Sequence, residues 1–463
     1  MLWDGMLPLP PEDAALPTIH RFLVRFDDAL TRLGGRPNAM ELERPTFLVH
    51  EALSGQSREF HSYAHVLTLT EGTGPIETIA GIFHDVVYVQ VDQGFPRMVN
   101  DMLRPLLTPI DGTGYRLGLG VMEDPAASLV ARVFGREPGD ELTPLSGLNE
   151  LASAFVAAMC MAPFLPPRYS AEIAAGIEAT IPFRDAASLD RLTGRLRDLA
   201  IPELDANTCE EAVRNAVRLA NRDVENFAEL DPARFLDNTW RLLPETNPAL
   251  HMPNVYRNGE YRLALQRMEG FLSTLEAERV FHAYRGEPSP EVHARRIAQA
   301  RRNISLAVRY LRAKLYTIAL IEAFACATGG DAPIELFLGG IPDEHNTNPL
   351  RAELFLKQGP GAAEDLDPVL LRLLDEGRAS PSSFDLGASP YTAFLYRAFG
   401  ERALMERLES TRPWIRGRVP ARDWLATQAC PPVAALARAI ARVTMTRREA
   451  LEKLADGMDA AVS

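Results

Sequence analysis

The sequence predicts an all-α protein. Apolar residues recur at helical spacing through most of the chain, Gly and Pro stand where those patterns stop, and no strand-like alternation of any length appears. With 463 residues the chain is long enough for two helical parts. The first is expected over residues 15–245, and an additional C-terminal helical region over 260–463.

Residues 1–15 are Pro-rich and read as an arm or loop. From Thr18 to Leu33 the apolar positions Ile19, Phe22, Leu23, Phe26, Leu30 and Leu33 fall on one helical face, and Gly34-Gly35 stops it. A second helix over 44–53 leads to Gly55 and then to Arg58-Glu59-Phe60-His61-Ser62-Tyr63-Ala64-His65-Val66. Gly72–Gly74 breaks that stretch, and Pro75 opens a helix that carries His84-Asp85 and ends near Tyr88. Residues 89–125 hold many Gly and Pro, with room for one helix over Phe95–Leu107, and suit a lid or rim. Helical patterns follow over 126–134, 148–161, 170–180, 189–199 and 209–230, and Asp231-Pro232 caps another reaching Leu243. Pro244–Gly259, rich in Pro and Asn, reads as the domain boundary. Beyond it helices are expected over 261–281, 290–326, 366–376, 391–408 and 433–458.

Within this scaffold a few polar residues stand where apolar ones are expected. His61 and His65 are four apart, which on a helix places them on one face. His84-Asp85 sits in the apolar run Ile79, Ile82, Phe83, Val86, Val87, where an imidazole and a carboxylate are costly unless they share a partner. A divalent ion is such a partner, and His with Asp suits Mn, Fe, Zn or Mg. Asp223 falls inside the apolar stripe Ala212, Val213, Ala216, Val217, Ala220, Val224, Phe227. Alone it reads equally as an ion-pair partner of Arg222; beside the histidines the ligand reading is taken.

Composition narrows the classes. No apolar run reaches the roughly 18–20 residues of a membrane span; the nearest, Leu315–Ala327, is short and holds Glu322. Neither a signal peptide nor a CxxC spacing is evident, so Cys160, Cys209, Cys326 and Cys430 read as reduced, buried, structural thiols of a cytoplasmic protein. A net charge of −13 argues against nucleic-acid binding through the whole surface. The basic run Arg295, Arg296, Arg301, Arg302, Arg309, Arg312, Lys314 is interleaved with Ile297, Ile304, Val308, Leu311 and Leu315, and reads as the solvated face of an amphipathic helix.

A histidine, then Phe-His-Asp-x-x-Tyr, then a distant Asp resembles the HD-domain metal-dependent phosphohydrolases, an all-α superfamily. Aromatic-His-x3-His-Val looks like the branch with a Tyr-His-Asn-x-x-His segment, which is shared with 3′,5′-cyclic nucleotide phosphodiesterases and many bacterial HD proteins. The resemblance covers residues 45–245 and departs from the pattern at Phe60, usually Tyr, and Ser62, usually Asn. It implies that His65, His84, Asp85 and Asp223 hold one or two divalent ions, with Asp85 able to bridge. His61 would be the general acid, and a nucleotide or other small phosphorylated metabolite the substrate. The chemistry agrees: a bound ion lowers the pKa of water from about 15.7 toward about 7, and a histidine near about 6.5 can protonate the leaving oxygen.

Alternatives stand beside these readings. His61 could instead fix the tautomer of a ligand, and Arg58 could clamp a phosphate or do nothing. Glu178 could face metal-bound water, or make an ion pair at the edge of the core. The remaining histidines, at 20, 50, 251, 282, 293 and 345, read as ordinary. The chain could also be a non-catalytic HD scaffold, with its C-terminal helices binding a partner or forming a homo-oligomer. A di-iron oxygenase is disfavoured, since no further His lies between His84 and Asp223.

Overall fold

The structure, a computed structural model, describes residues 16–112, 114–252, 255–342, 346–356 and 363–462. The Pro-rich start and His345 lie outside the described residues. The all-α expectation holds: helices dominate, and the sheet among the described residues is three short strands. Strands β1 (Leu107–Pro109), β2 (Tyr115–Leu117) and β3 (Glu141–Leu142) pair antiparallel in that order. At two or three residues each they are too short to leave an alternating pattern in the sequence. Among the described residues no helix is long and apolar enough to cross a membrane.

The chain forms two compact units. One takes the residues up to Ala228 together with Glu276–Ala300; the other takes Glu229–Leu275 and the residues from Arg301 onward. The boundary expected at Pro244–Gly259 therefore lies inside the second unit, and the chain returns once to the first. Local composition marks Pro244 as a breaker, yet Pro244 is accommodated within a helix. The return is fixed by long-range bonds. Tyr284 OH pairs with Thr193 Oγ1 at 2.7 Å, while Asn221 accepts from the backbone N–H of His282 and donates to its carbonyl.

In the first unit the helices are α1 (Thr18–Arg32), α2 (Ala39–Leu53), α3 (Tyr63–Leu69), α4 (Pro75–Phe83), α5 (Val89–Asp92), α6 (Arg97–Leu103), α7 (Pro125–Phe134), α8 (Leu148–Met161), α9 (Pro167–Ala179), α10 (Ser188–Asp198) and α11 (Ala206–Asp223). Helix α4 is the hub. Its Ile79, Ile82 and Phe83 are fully buried, and Phe83 meets Phe26 of α1 edge-on at 5.5 Å. Two glycines let its neighbours close in. A Cβ on Gly81 would come within 2.8 Å of Thr70 Cγ2 and 3.3 Å of Leu219, and one on Gly176 of α9 within 2.9 Å of Ala80 Cβ. Helices α3, α9 and α11 thus approach α4 to backbone distance, which sets the spacing of the residues at its end.

The second unit holds α12 (Pro232–Thr246), α13 (Asn258–Thr274), most of the 39-residue α14 (Pro290–Thr328), α15 (Glu335–Leu338), α16 (Pro368–Glu376), α17 (Pro390–Glu409), α18 (Arg412–Ile415), α19 (Ala421–Thr427), α20 (Pro431–Val443) and α21 (Arg448–Val462). The apolar run at the end of α14 is buried nearly all round, and its Glu322 is paired with Arg262 at 2.5 Å. The basic residues of α14 are largely taken up by acids: Arg296 by Glu225, Arg309 by Asp367 and Glu401, Arg312 by Glu269, and Lys314 by Asp385. The four thiols are free, but the expectation that all are buried holds for Cys209 alone: Cys160 and Cys430 are half-buried, and Cys326 is exposed on the outer face of α14.

Asp385 organises the interior of this unit. Its Oδ2 accepts from Trp240 Nε1 at 2.9 Å, Tyr261 OH at 2.6 Å and Lys314 Nζ at 2.6 Å, and Arg378 lies 3.5 Å away. Burial would raise its pKa, but the charges of Lys314 and Arg378 outweigh this and hold it below the usual carboxylate value. Replacing Asp385 with alanine leaves two buried cations without their anion, so a loss of about 3–5 kcal/mol is expected. Urea denaturation of the variant checks this; a loss under about 1 kcal/mol, the range of an exposed pair, would mean that the cluster is not what holds the unit.

Candidate metal centre

Helix α4 ends at Phe83, so His84 is its C-cap and Asp85 lies in the turn beyond; Asp223 is the last residue of α11. Two helix C-termini, each carrying a partial negative charge, therefore point their ends at one place, which favours a cation there. His65 comes to the same place from α3. His65 Nε2 lies 2.9 Å from Asp223 Oδ1, and His84 Nε2 lies 3.3 Å from Asp223 Oδ1 and 2.9 Å from Asp85 Oδ2. Ligand atoms of His65, His84 and Asp223 all lie within 4.8 Å of one another, a span that one ion can bridge. Asp85 stands at the edge, its Oδ2 4.0 Å from His65 Nε2.

The donor set fits a divalent ion. His84 Nδ1 is 2.8 Å from the carbonyl of Gly81, which can only accept, so Nδ1 carries the proton and the neutral ring presents a lone pair at Nε2. That Nε2 and Asp85 Oδ2 are buried and neither makes a hydrogen bond, despite lying 2.9 Å apart. Two acceptors this close repel one another unless a proton or a metal ion lies between them. From the protein groups alone, burial would lower the His84 pKa, but the charges of Asp85 and Asp223 hold it well above the usual value. Burial would likewise raise both carboxyls, and the imidazoles instead hold them well below the carboxylate range.

His61 is placed differently from the expectation. It precedes α3 in a bend before the N-cap Ser62, so His61 and His65 do not share a helical face. The chain still brings them close, with ring centroids 6.3 Å apart, and His61 stacks on Tyr88 at 4.3 Å and meets Phe60 at 4.9 Å. Arg58, expected either to clamp a phosphate or to do nothing, is engaged by the protein itself. It donates to Asp92 and to the carbonyls of Asp85 and Val86, tying down the turn after α4 from a fully buried position. Glu178 takes the ion-pair reading, bound by Arg184 at 2.6 Å and Arg195 at 2.5 Å.

Glu150, on α8, was not among the expected site residues. Its neighbours Asn149 and Ser153 accept from the backbone N–H groups of Val89 and Val87, fastening α8 to the segment that follows His84-Asp85. Its own Oε2 is buried with no hydrogen-bond partner. Burial pushes its pKa up to about 7, against a hydrogen bond from its own backbone, and the charge of Asp85 adds to the rise. A carboxyl raised on folding stabilises below its unfolded value and loses that contribution as pH climbs through the folded one. In metal-free protein, Glu150→Gln should therefore gain stability over the parent between pH 5 and pH 8, by about 2–3 kcal/mol at one pKa unit per 1.36 kcal/mol. Denaturation at the two pH values checks this; an equal effect at both would mean that Glu150 ionises freely.

No family model, curated protein or solved structure matches this chain.

Proposed function

We propose that the chain is a metal-dependent phosphohydrolase of HD-domain type acting on a nucleotide or another small phosphorylated metabolite, in the cytoplasm. The observation that carries the reading is the convergence of His65, His84 and Asp223, with Asp85 beside them, around two buried polar atoms without partners. One or two of Mn, Mg, Fe or Zn would be held by these four residues, supplying an acidified water and charge stabilisation at the phosphoryl oxygens.

The protein groups divide the remaining work. Water attacks phosphorus, the bond from phosphorus to the leaving oxygen breaks, and that oxygen takes a proton from His61. Tyr88, tilted against the His61 ring at 4.3 Å, and Phe60, edge-on to it at 4.9 Å, limit how that ring can turn. Glu150, buried near Asp85 and with its Oε2 free of hydrogen bonds, would accept the proton released by the attacking water. Arg58 holds the turn bearing Asp85, so the ligand set is pre-formed. Four thiols without a disulfide accord with a reducing compartment.

The test is elemental analysis of the purified protein followed by assay of phosphoesters with each of the four metals. Stoichiometric metal with hydrolysis that a chelator abolishes is the expected result. Metal without hydrolysis of any ester would favour a non-catalytic scaffold.

A further inference from the structure

We propose that the second unit binds a small monovalent anion, such as chloride, in a polar cavity between the start of α17 and the middle of α14. The inference stands apart from the metal centre and from the reaction proposed there.

The cavity measures about 30 Å³, and its wall includes Tyr261, Lys314, Arg351, Asp385, Ser389 and Thr392. A single water needs roughly 10–15 Å³, so there is room for a water or for a halide. Charge decides between them. The wall carries two cations, Lys314 and Arg351, against one carboxylate, Asp385. The groups one bond further out leave the same excess: Arg378 lies 3.5 Å from Asp385, and Glu353 accepts from Arg351 Nε. Three largely buried cations thus face two acids.

Nothing else in the wall closes that gap. Burial and the neighbouring carboxylates raise Tyr261 and Tyr391 well above the usual tyrosine value, so both stay neutral. The rings of Trp240 and Tyr261 attract the Lys314 ammonium at 5.1 and 5.7 Å but bring no charge. An uncompensated charge in the interior is costly, and one small anion removes the cost.

Donors are in place to hold it. Lys314 Nζ donates to Asp385 at 2.6 Å and to Ser389 Oγ at 3.1 Å, and its third hydrogen has no acceptor among the described residues. Ser389 is the N-cap of α17, yet its hydroxyl makes no cap; it takes the bond from Lys314 and pairs with Tyr310 OH at 2.8 Å. The backbone N–H groups of Tyr391 and Thr392, both in the cavity wall, are therefore left without an acceptor among the described residues. They open a helix that runs unbroken from Pro390 to Phe399, whose partial positive charge adds to that of Lys314 and Arg351.

Two measurements on the full chain test this. Crystals soaked in sodium bromide, with diffraction recorded at the bromine edge, should show an anomalous peak in the cavity within hydrogen-bond reach of Lys314 Nζ. In solution, the thermal unfolding midpoint should be about 3 °C higher in about 150 mM sodium chloride than in the same concentration of sodium gluconate, whose anion is too large to enter. Lys314→Met removes the surplus cation while leaving Asp385 with Arg378, and should lose both the peak and the difference in midpoint. Where that variant does not fold, the peak and midpoints of the parent decide. A water in place of bromide, or equal midpoints in the two salts, would overturn the inference; a bromide peak with equal midpoints is binding at crystal concentration only. If the variant folds and keeps both signals, the surplus charge is not what draws the anion, and the inference falls as well.

Discussion

Replacing His61 with alanine or asparagine is expected to lower the hydrolysis rate by about 10²–10⁴, the usual worth of a positioned general acid, while metal content and folding stay near those of the parent. His61 is not one of the three residues whose ligand atoms cluster within 4.8 Å, and it lies outside α3, held by stacking on Tyr88 at 4.3 Å. Its removal leaves His65, His84 and Asp223 in place. Its contact with Tyr88, three residues after Asp85, places it beside the turn after α4, and its charge helps to hold the Asp85 carboxyl ionised. The loss should shrink for an ester with a good leaving group, because a nitrophenolate needs little protonation. Equal losses for good and poor leaving groups would make His61 a positioning residue. Loss of the ion as well would make it a ligand.

Replacing Asp85 with alanine should abolish activity and metal retention together. Its Oδ2 is buried, lies 2.9 Å from His84 Nε2 and has no hydrogen-bond partner, which accords with the proposed ligand role. Loss of an outer hydrogen-bond partner costs about 10–100-fold in metal affinity, so loss of a true ligand should exceed that range. Asp223→Ala, which removes the carboxylate oxygen that lies within 3.3 Å of both histidines, is the reference for full loss. If elemental analysis finds the Asp85 variant holding as much metal as the parent, then His65, His84 and Asp223 hold the ion without it.

Three of the four proposed ligands were legible in the sequence because they violate an apolar pattern. His84-Asp85 interrupts the α4 run and Asp223 the α11 stripe, and the structure brings both to the same place as His65. Glu150 carried the same signal, a carboxylate at the start of the apolar helix Leu148–Met161, but with no histidine nearby in sequence to give it a partner. The position of His61 was misread for a different reason. Four-residue spacing implies a shared face only where the helix has begun, and here it begins at Tyr63. The domain boundary was illegible in principle, since Pro and Asn report on local turns, whereas the return of Glu276–Ala300 is decided by bonds such as those between Asn221 and His282.

Those last bonds bear on the order in which the protein can mature during synthesis. Every proposed ligand has left the ribosome once Asp223 has, yet Asn221, two residues before it, depends on a backbone 61 residues further along. At a translation rate of about 5–20 residues per second, the nascent chain would wait roughly 3–12 seconds with its histidines and aspartates made and the end of α11 not yet fastened. During that interval the emerging chain would be exposed to whatever metal the cell offers first. A chain cut anywhere between Asp223 and His282 would keep every proposed ligand and never complete that anchor.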